Sequence, residues 1–522
     1  MSAHEDGTPV VVTTGAGALR GRWQDGVARF AGVPYAAPPV GDLRFRAPAP
    51  VEPWTGERSA EAFGPICPQN PSMMDALFGG DSERWDEDCL YLNVWTPDPE
   101  AAATGPLPVM VWIHGGGFEM GSGSSPLYDG THFASSGVVL VSLNYRLGAF
   151  GFLELGHLDA DLAGSGNAGL LDQIAALEWV QSNIANFGGD AGNVTVFGQS
   201  AGSMSISLLM SSPRATGLFR RAITQSGAAN AARAVESAQG DTDDFLAAGG
   251  WSSAADVRAA PAADLLAAHA SLSGARVADP EAFIRRAGTP LGFLAFRPVA
   301  DGVVVPSDPL AAIAAGSAAG VTLLAGSTSQ EWRLFALMTP SPADEDALRD
   351  RFALLVDDPD AALAAYRDEY PGASLADLDG ALLTDMVFRI PTVRLVDAQS
   401  AHAPTYQYLW DWKSDAFGGM IGAAHAIDIP FVFDLLEDHR LHVFVGADAP
   451  RSLARATNEA WIAFASTGVP AADGLTEWPT IGSEATRPVM VLDTEPSLVD
   501  DPNGDTRRFW DAAGSTMPAS AD

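Results

Sequence analysis

Six short stretches of the chain are apolar at almost every position instead of every second one: Pro108 to Ile113, Val138 to Asn144, Val194 to Phe197, Ala222 to Thr224, Val321 to Ala325 and Tyr406 to Trp410. A strand with one wet face alternates, so uniform runs of this length bounded by turn formers predict parallel strands covered on both faces. Between the second and third runs, Leu170, Ile174, Leu177, Val180 and Ile184 recur along one helix face, and the pattern stops before Gly188 and Gly189. Repeated strand, helix, strand units predict an α/β fold with a large, mostly parallel, doubly wound sheet flanked by helices. Near the N-terminus, Gly32-Val33-Pro34-Tyr35 through Arg44-Phe45 reads as a small antiparallel sheet edge leading into a loop. Residues 241–320 are rich in alanine with scattered charges and read as amphipathic surface helices inserted into the sheet, with no chemistry of their own. Residues 335–400 read as a second helical insertion, and 514–522 as a frayed tail. No repeat or linker divides the chain, so residues 1–522 are expected to form one domain.

Composition narrows the function. Of 522 residues 47% are hydrophobic and 18% charged, enough apolar material for a packed core and too much for a disordered chain. Thirty basic against 65 acidic residues leave a net charge of −35, a field that repels phosphate backbones and anionic lipid heads. Nucleic-acid and membrane partners are therefore not expected, and no apolar run approaches the roughly 18 residues of a membrane helix. The start, MSAHEDGTPV, has neither a basic nor an apolar leader segment, which gives a cytoplasmic location as the expectation. The only cysteines, Cys67 and Cys89, are too few for a disulfide scaffold and lack histidines nearby for a zinc site. No metal or cofactor is expected, and the chain is expected to act as a monomer or small homo-oligomer.

Candidate chemistry follows the third apolar run. Gly198-Gln199-Ser200-Ala201-Gly202 sits between that predicted strand and a predicted helix from Ser203 to Met210. A Gly-X-Ser-X-Gly turn there forces the serine into strained backbone at the carboxyl edge of the sheet, with small flanks because strand and helix approach closely. The helix dipole beyond it favours developing negative charge. A serine nucleophile needs donors for an oxyanion, and His114-Gly115-Gly116-Gly117-Phe118, at the end of the first run, offers unshielded amides that Ala201 would complete. Presenting amides is that loop's task, so His114 reads as structural. For the acid partner, Glu331 follows the strand ending at Ala325, although spacing leaves Asp301, Asp308 and Asp385 open. For the base, His269, His402, His425, His439 and His442 all follow Ser200.

Longer segments resemble one family. Phe187-Gly188-Gly189-Asp190-Ala191-Gly192-Asn193-Val194-Thr195-Val196-Phe197 with the Gly198 to Gly202 turn resembles the nucleophile signature of type-B carboxylesterases, the family of bacterial p-nitrobenzyl esterases and cholinesterases. Glu87 to Val94 resembles its second signature. Phe30 to Tyr35, the triple-glycine loop, Asn144-Tyr145-Arg146, Gln225-Ser226-Gly227 and Gly422-Ala423-Ala424-His425 are also similar, so the resemblance spans about residues 17 to 470. It implies an α/β-hydrolase with a triad of Ser200, Glu331 and His425, an oxyanion hole of Gly116, Gly117 and Ala201, and Ser226 and Gln199 close behind the triad. Trp332 stands where many members have glycine, and Asp428 is expected to be structural. The resemblance further implies a Cys67 to Cys89 disulfide closing a short loop, with Met73, Met74, Leu77 and Phe78 as one wall of a substrate gorge. The expected activity is hydrolysis of neutral carboxylic esters with short to medium acyl chains. Two alternatives are a non-catalytic binding protein on the same fold and a lipase-like esterase for longer chains; retention of Ser200, Glu331 and His425 argues against the first.

Overall fold

Along β6 (Leu107–Ile113) of the computed structural model, Val109, Val111 and Ile113 enter one cluster of buried residues while Met110 and Trp112 enter another. The strand over Val139–Leu143 divides in the same way, Val139, Val141 and Leu143 against Leu140. Period-two alternation is thus present, but both faces are dry, which is why the runs are uniformly apolar. One cluster includes Leu170, Ile174, Leu177 and Val180 of the helix Ala168–Asn183; the other includes Leu453, Trp461 and Phe464 of the helix Arg451–Thr467. The structure describes residues 5–71, 84–101, 105–287, 289–337, 341–482 and 486–513.

Among the described residues the sheet has thirteen strands. Before β6 come β1 (Pro9–Thr13), β2 (Ala18–Gln24), β3 (Val27–Pro34), β4 (Glu57–Ser59) and β5 (Tyr91–Thr96). After it come β7 (Val139–Leu143), β8 (Gly189–Gln199), β9 (Arg221–Gln225), β10 (Thr322–Thr328), β11 (Thr405–Trp410), β12 (Pro488–Leu492) and β13 (Ser497–Asp500). The order is β1-β2-β3-β5-β7-β6-β8-β9-β10-β11-β12-β13, with β4 beside β2. In that order the strands from β7 through β6 and on to β12 form a parallel block, the remaining pairs along the order are antiparallel, and β4 lies parallel to β2. The N-terminal antiparallel strands therefore extend the main sheet. Register sets the site: Ile113 pairs with Gly198, Gln199 with Gln225 and Gln225 with Gly326, so the loops after β6, β8, β9 and β10 leave the carboxyl edge side by side.

Helices Val235–Gly249, Ala254–Ala259, Ala262–Ala278, Pro280–Ala287 and Pro309–Ala314 fill the first Ala-rich stretch. It is more than the expected surface cover, because Asp241 is buried between Arg233 and Arg276, each 2.5 Å away. Helices Glu345–Leu355, Pro359–Glu369, Leu375–Thr384 and Ile390–Ser400 fill the second stretch, the last two joined by a π-helical turn over Asp385–Arg389. Among the described residues no helix is long and apolar enough to cross a membrane. The expected tail, 514–522, lies outside the described residues.

Candidate active site

After β8 the chain turns at Ser200, with φ 57° and ψ −125°, and enters the helix Ala201–Ser211. Such backbone is costly for a non-glycine residue and persists only where neighbours enforce it. Here Ser200 N donates to Gln225 O at 2.9 Å and Met204 N donates to Ser200 O at 2.8 Å. Space demands the flanking glycines: a Cβ on Gly198 would lie 2.5 Å from Ile113 O, and one on Gly202 only 1.9 Å from the same atom.

The loop after β6 abuts this turn, since a Cβ on Gly115 would lie 3.1 Å from Ser200 Cβ. Gly116, Gly117 and Phe118 all have positive φ, 110°, 61° and 64°. Among the described residues the amides of Gly116, Gly117 and Ala201 have no hydrogen-bond partner, and Ala201 is the first residue of its helix. His114 supports the loop from beneath: Nδ1 lies 2.7 Å from Gly115 O and the ring stacks on Tyr145 at 4.4 Å. Burial lowers its pKa to about 4 against the opposing pull of the Gly115 carbonyl, so this imidazole is neutral at ordinary pH.

Glu331 lies three residues beyond β10, is fully buried and has helical backbone, φ −44° and ψ −47°. That conformation suits any residue after it, so Trp332 starts the helix Trp332–Ala336 without strain and its ring packs 4.8 Å from Phe335. Glu331 Oε1 accepts from Thr328 N at 2.7 Å, and Oε2 is 2.5 Å from His425 Nδ1. That contact puts the proton of neutral His425 on Nδ1 and leaves Nε2 as the acceptor. Gln199 Nε2 donates to it at 3.1 Å, while Ser200 makes no side-chain hydrogen bond among the described residues. Phe388 and Phe335 flank the imidazole at 4.6 Å and 5.2 Å.

The other acids and histidines lie in other settings. Asp301 accepts the amides of Val303, Val304 and Val305, Asp308 caps the helix Pro309–Ala314, and Asp385 pairs with Arg389. His402 faces Ala314 O at 2.8 Å, His439 and His442 meet edge to face, and His269 pairs with Glu119. Asp428 is buried and accepts from Gln225 Nε2 at 2.7 Å. Burial raises its carboxyl to about 6, Gln225 opposes the shift and Glu331 adds to it.

The hydroxyl of Ser226 is buried with no hydrogen-bond partner among the described residues, and Thr328 N is the backbone donor to the Glu331 carboxylate. One expectation differs from the structure. Cys67 and Cys89 are buried free thiols and no disulfide is formed. Cys67 Sγ accepts from Leu147 N at 3.2 Å, and a hydrogen bond with Cys67, then burial, pushes the Cys89 thiol well above its ordinary range. Met73, Met74, Leu77 and Phe78 lie outside the described residues. Sequence reasoning missed the contact of Gln199 with His425 and the flanking Phe335 and Phe388, because nothing local marks a residue brought in from another element.

A nucleophile-elbow serine, a glycine loop and a buried carboxylate–histidine pair at the edge of a parallel sheet define the α/β-hydrolase class. The profile of the carboxylesterase family matches residues 8–510. The chain is 40% identical to the para-nitrobenzyl esterase of Bacillus subtilis (strain 168) over 96% of its length and 98% of that protein. It is 35% identical to the liver carboxylesterase of Sus scrofa, covering 92% and 89% of the two chains. The solved carboxylesterase of Geobacillus stearothermophilus superposes with a TM-score of 0.85 at 38% identity, over 96% of this chain and 99% of that one. The chain belongs to the carboxylesterase family and is a serine hydrolase of carboxylic esters.

Proposed function

We propose that Ser200 is the nucleophile, His425 the general base and Glu331 the group that orients it, with the amides of Gly116, Gly117 and Ala201 receiving the oxyanion. The observation that carries this reading is the 2.5 Å contact of Glu331 Oε2 with His425 Nδ1 beside a serine held at φ 57°. Substrate entry turns His425 Nε2 from Gln199 to Ser200; catalytic hydrogen bonds are often loose before a substrate is bound. Ser200 Oγ then adds to the ester carbonyl as its proton passes to Nε2, and three amides stabilise the charge on the carbonyl oxygen. Collapse expels the alcohol, which takes the proton from His425, and water releases the acid by the same path. Each step uses only these groups and water.

The walls beside the base are the rings of Phe335 and Phe388, and the neighbour of the nucleophile, Gln199, is neutral. Binding therefore rests on apolar contact, and the substrates are neutral esters with short to medium acyl chains, a reading that a relative named para-nitrobenzyl esterase supports on the alcohol side. The enzyme acts as a monomer or small homo-oligomer. The test pairs Ser200→Ala with a series of p-nitrophenyl esters from acetate to palmitate. The variant should lose about 10⁴-fold or more in kcat, and an organophosphate should label Ser200 of the wild type and no other serine. Turnover near wild type in Ser200→Ala would end this reading, and a maximum at palmitate would end the chain-length assignment.

A further inference from the structure

Three successive residues with positive φ, Gly116, Gly117 and Phe118, do not hold a loop in shape by local preference, so the surroundings must impose it. Backbone bonds do part of this: the amides of Glu119 and Met120 both donate to Gly116 O at 3.0 Å, and Gly148 N donates to Phe118 O at 2.7 Å. A side chain does more. Glu119, the residue after the strained triplet, turns its carboxylate inward: Oε1 accepts from Ala295 N at 3.2 Å with Phe296 N at 3.5 Å, and Oε2 lies 3.2 Å from His269 Nε2. The two side chains are only 12% and 7% exposed, so this contact is little screened by water. His269 stands on the helix Ala262–Ala278 and meets Phe296 edge to face at 4.8 Å; a Cβ on Gly148 would lie 3.0 Å from its ring. Leu294, next to Ala295, covers the loop itself, 3.2 Å from where a Gly117 Cβ would be. One carboxylate thus joins the strained loop to a strap and a helix of the inserted region, the stretch whose sequence showed no chemistry.

We propose that Glu119 and His269 are a pair of positioning residues that clamp the loop and aim the amides of Gly116 and Gly117 at the oxyanion. This rests on the oxyanion role proposed above. Amides stabilise a transition state only if they are aimed before charge develops, and a displacement well under 1 Å is enough to lose the effect. Without the carboxylate, the Ala295 amide also loses its partner and the strap loses its hold on Gly117.

The experiment compares wild type, Glu119→Ala, His269→Ala and the double variant on p-nitrophenyl butyrate, and measures inhibition by an alkyl trifluoromethyl ketone. Ser200 Oγ adds to that ketone as its proton passes to His425 Nε2, forming a C–O bond as the carbonyl π bond breaks, and the resulting oxyanion reports the same amides. Removing an oxyanion donor outright costs about 10²- to 10³-fold in kcat, so misaiming in Glu119→Ala should cost about 30-fold with KM within about threefold. The ketone's inhibition constant should rise by the same factor as kcat/KM falls, and the double variant should match Glu119→Ala because the pair acts as one unit. Glu119→Gln keeps an oxygen for the Ala295 amide and should lose about tenfold; it replaces Glu119→Ala if that variant does not fold. A kcat within twofold of wild type in the folded variant, a loss that leaves ketone affinity unchanged, or additive losses would each overturn the clamp. Organophosphate labelling separates the two ideas: labelled Ser200 with unchanged kcat in the Glu119 variants removes the clamp alone, whereas an unlabelled Ser200 removes the oxyanion reading and the clamp with it.

Discussion

At Gly202 one added methyl group would meet Ile113 O at 1.9 Å, and at Gly198 the same oxygen at 2.5 Å, so the turn admits no side chain at either of these two positions. Backbone cannot yield there without moving β6 or the helix Ala201–Ser211. Gly202→Ala should therefore lose at least about 3 kcal/mol of unfolding free energy in urea, whereas Ser200→Ala, which removes a hydroxyl with no hydrogen bond among the described residues, should stay within about 1 kcal/mol. Equal stability of the two variants would contradict the close approach. Asp428 gives a pH test. Its folded carboxyl is raised from 3.8 to about 6, first by burial, so between these values the folded state holds more protons than the unfolded one. Stability then falls as pH rises through that window and stays lower above it. Asp428→Asn keeps an acceptor for Gln225 and should remove the slope, gaining on wild type by up to a few kcal/mol at pH 7.5 relative to pH 4.5. Parallel stability profiles in urea titrations at both pH values would refute this.

The π-helical turn over Asp385–Arg389 is the element whose integrity the base feels most directly, because it carries Phe388 to 4.6 Å from His425. Such turns are rare, and this one is held by buried charge. Arg389 bonds both oxygens of Asp385, at 2.6 Å and 2.8 Å, and also Thr506 Oγ1 at 2.6 Å; Tyr366 donates to Asp385 at 2.8 Å and accepts from Trp510 Nε1 at 2.9 Å. Both charges lie almost fully inside the protein. Arg389→Met would leave Asp385 buried without its ion partner and should cost about 3 to 5 kcal/mol, measured by denaturant unfolding. A loss below about 1 kcal/mol would mean that the turn is held by packing alone. Nothing in the local sequence marks an i to i+5 turn, so this element was legible only as part of a helical stretch. The same limit shortened β8: near its start Asp190, Ala191, Gly192 and Asn193 are small or polar and at least partly exposed, and only the apolar half read as strand.

Across the molecule, most of the deeply buried charges are matched: Arg146 with Asp172 at 2.7 Å, Arg233 and Arg276 with Asp241, and Arg389 with Asp385, whereas buried Arg297 donates to Ala231 O and has no ion pair among the described residues. The net charge of −35 therefore acts mainly from the surface, where it can speed encounter with a cation but is screened by salt. Beside the base stands neutral Gln199, which gives a choline head group no charge to bind. Butyrylcholine and the nearly isosteric 3,3-dimethylbutyl butyrate should thus differ by less than about tenfold in kcat/KM at moderate salt, under about 1.4 kcal/mol. Any advantage of the cation should shrink as salt is added. An advantage above tenfold that salt does not reduce would mean a cation site within the pocket.

The chain's pattern by itself determined the parallel sheet, because strands dry on both faces can be written only with uniform apolar runs, and it determined the elbow at Ser200, because only small flanks fit between strand and helix. The resemblance to carboxylesterases singled out Glu331 and His425 among acids and histidines that spacing left equal, and the geometry brings those two within 2.5 Å. Only the tertiary structure decided which distant groups meet: Gln199 on His425, Phe388 beside it, and Glu119 on His269 across 150 residues. It also left Cys67 and Cys89 as free thiols where the resemblance implied a bond. Pattern records which face of an element is dry, a property each element carries with it. Contact between elements depends on how their faces are stacked and turned, which no segment of the chain encodes alone.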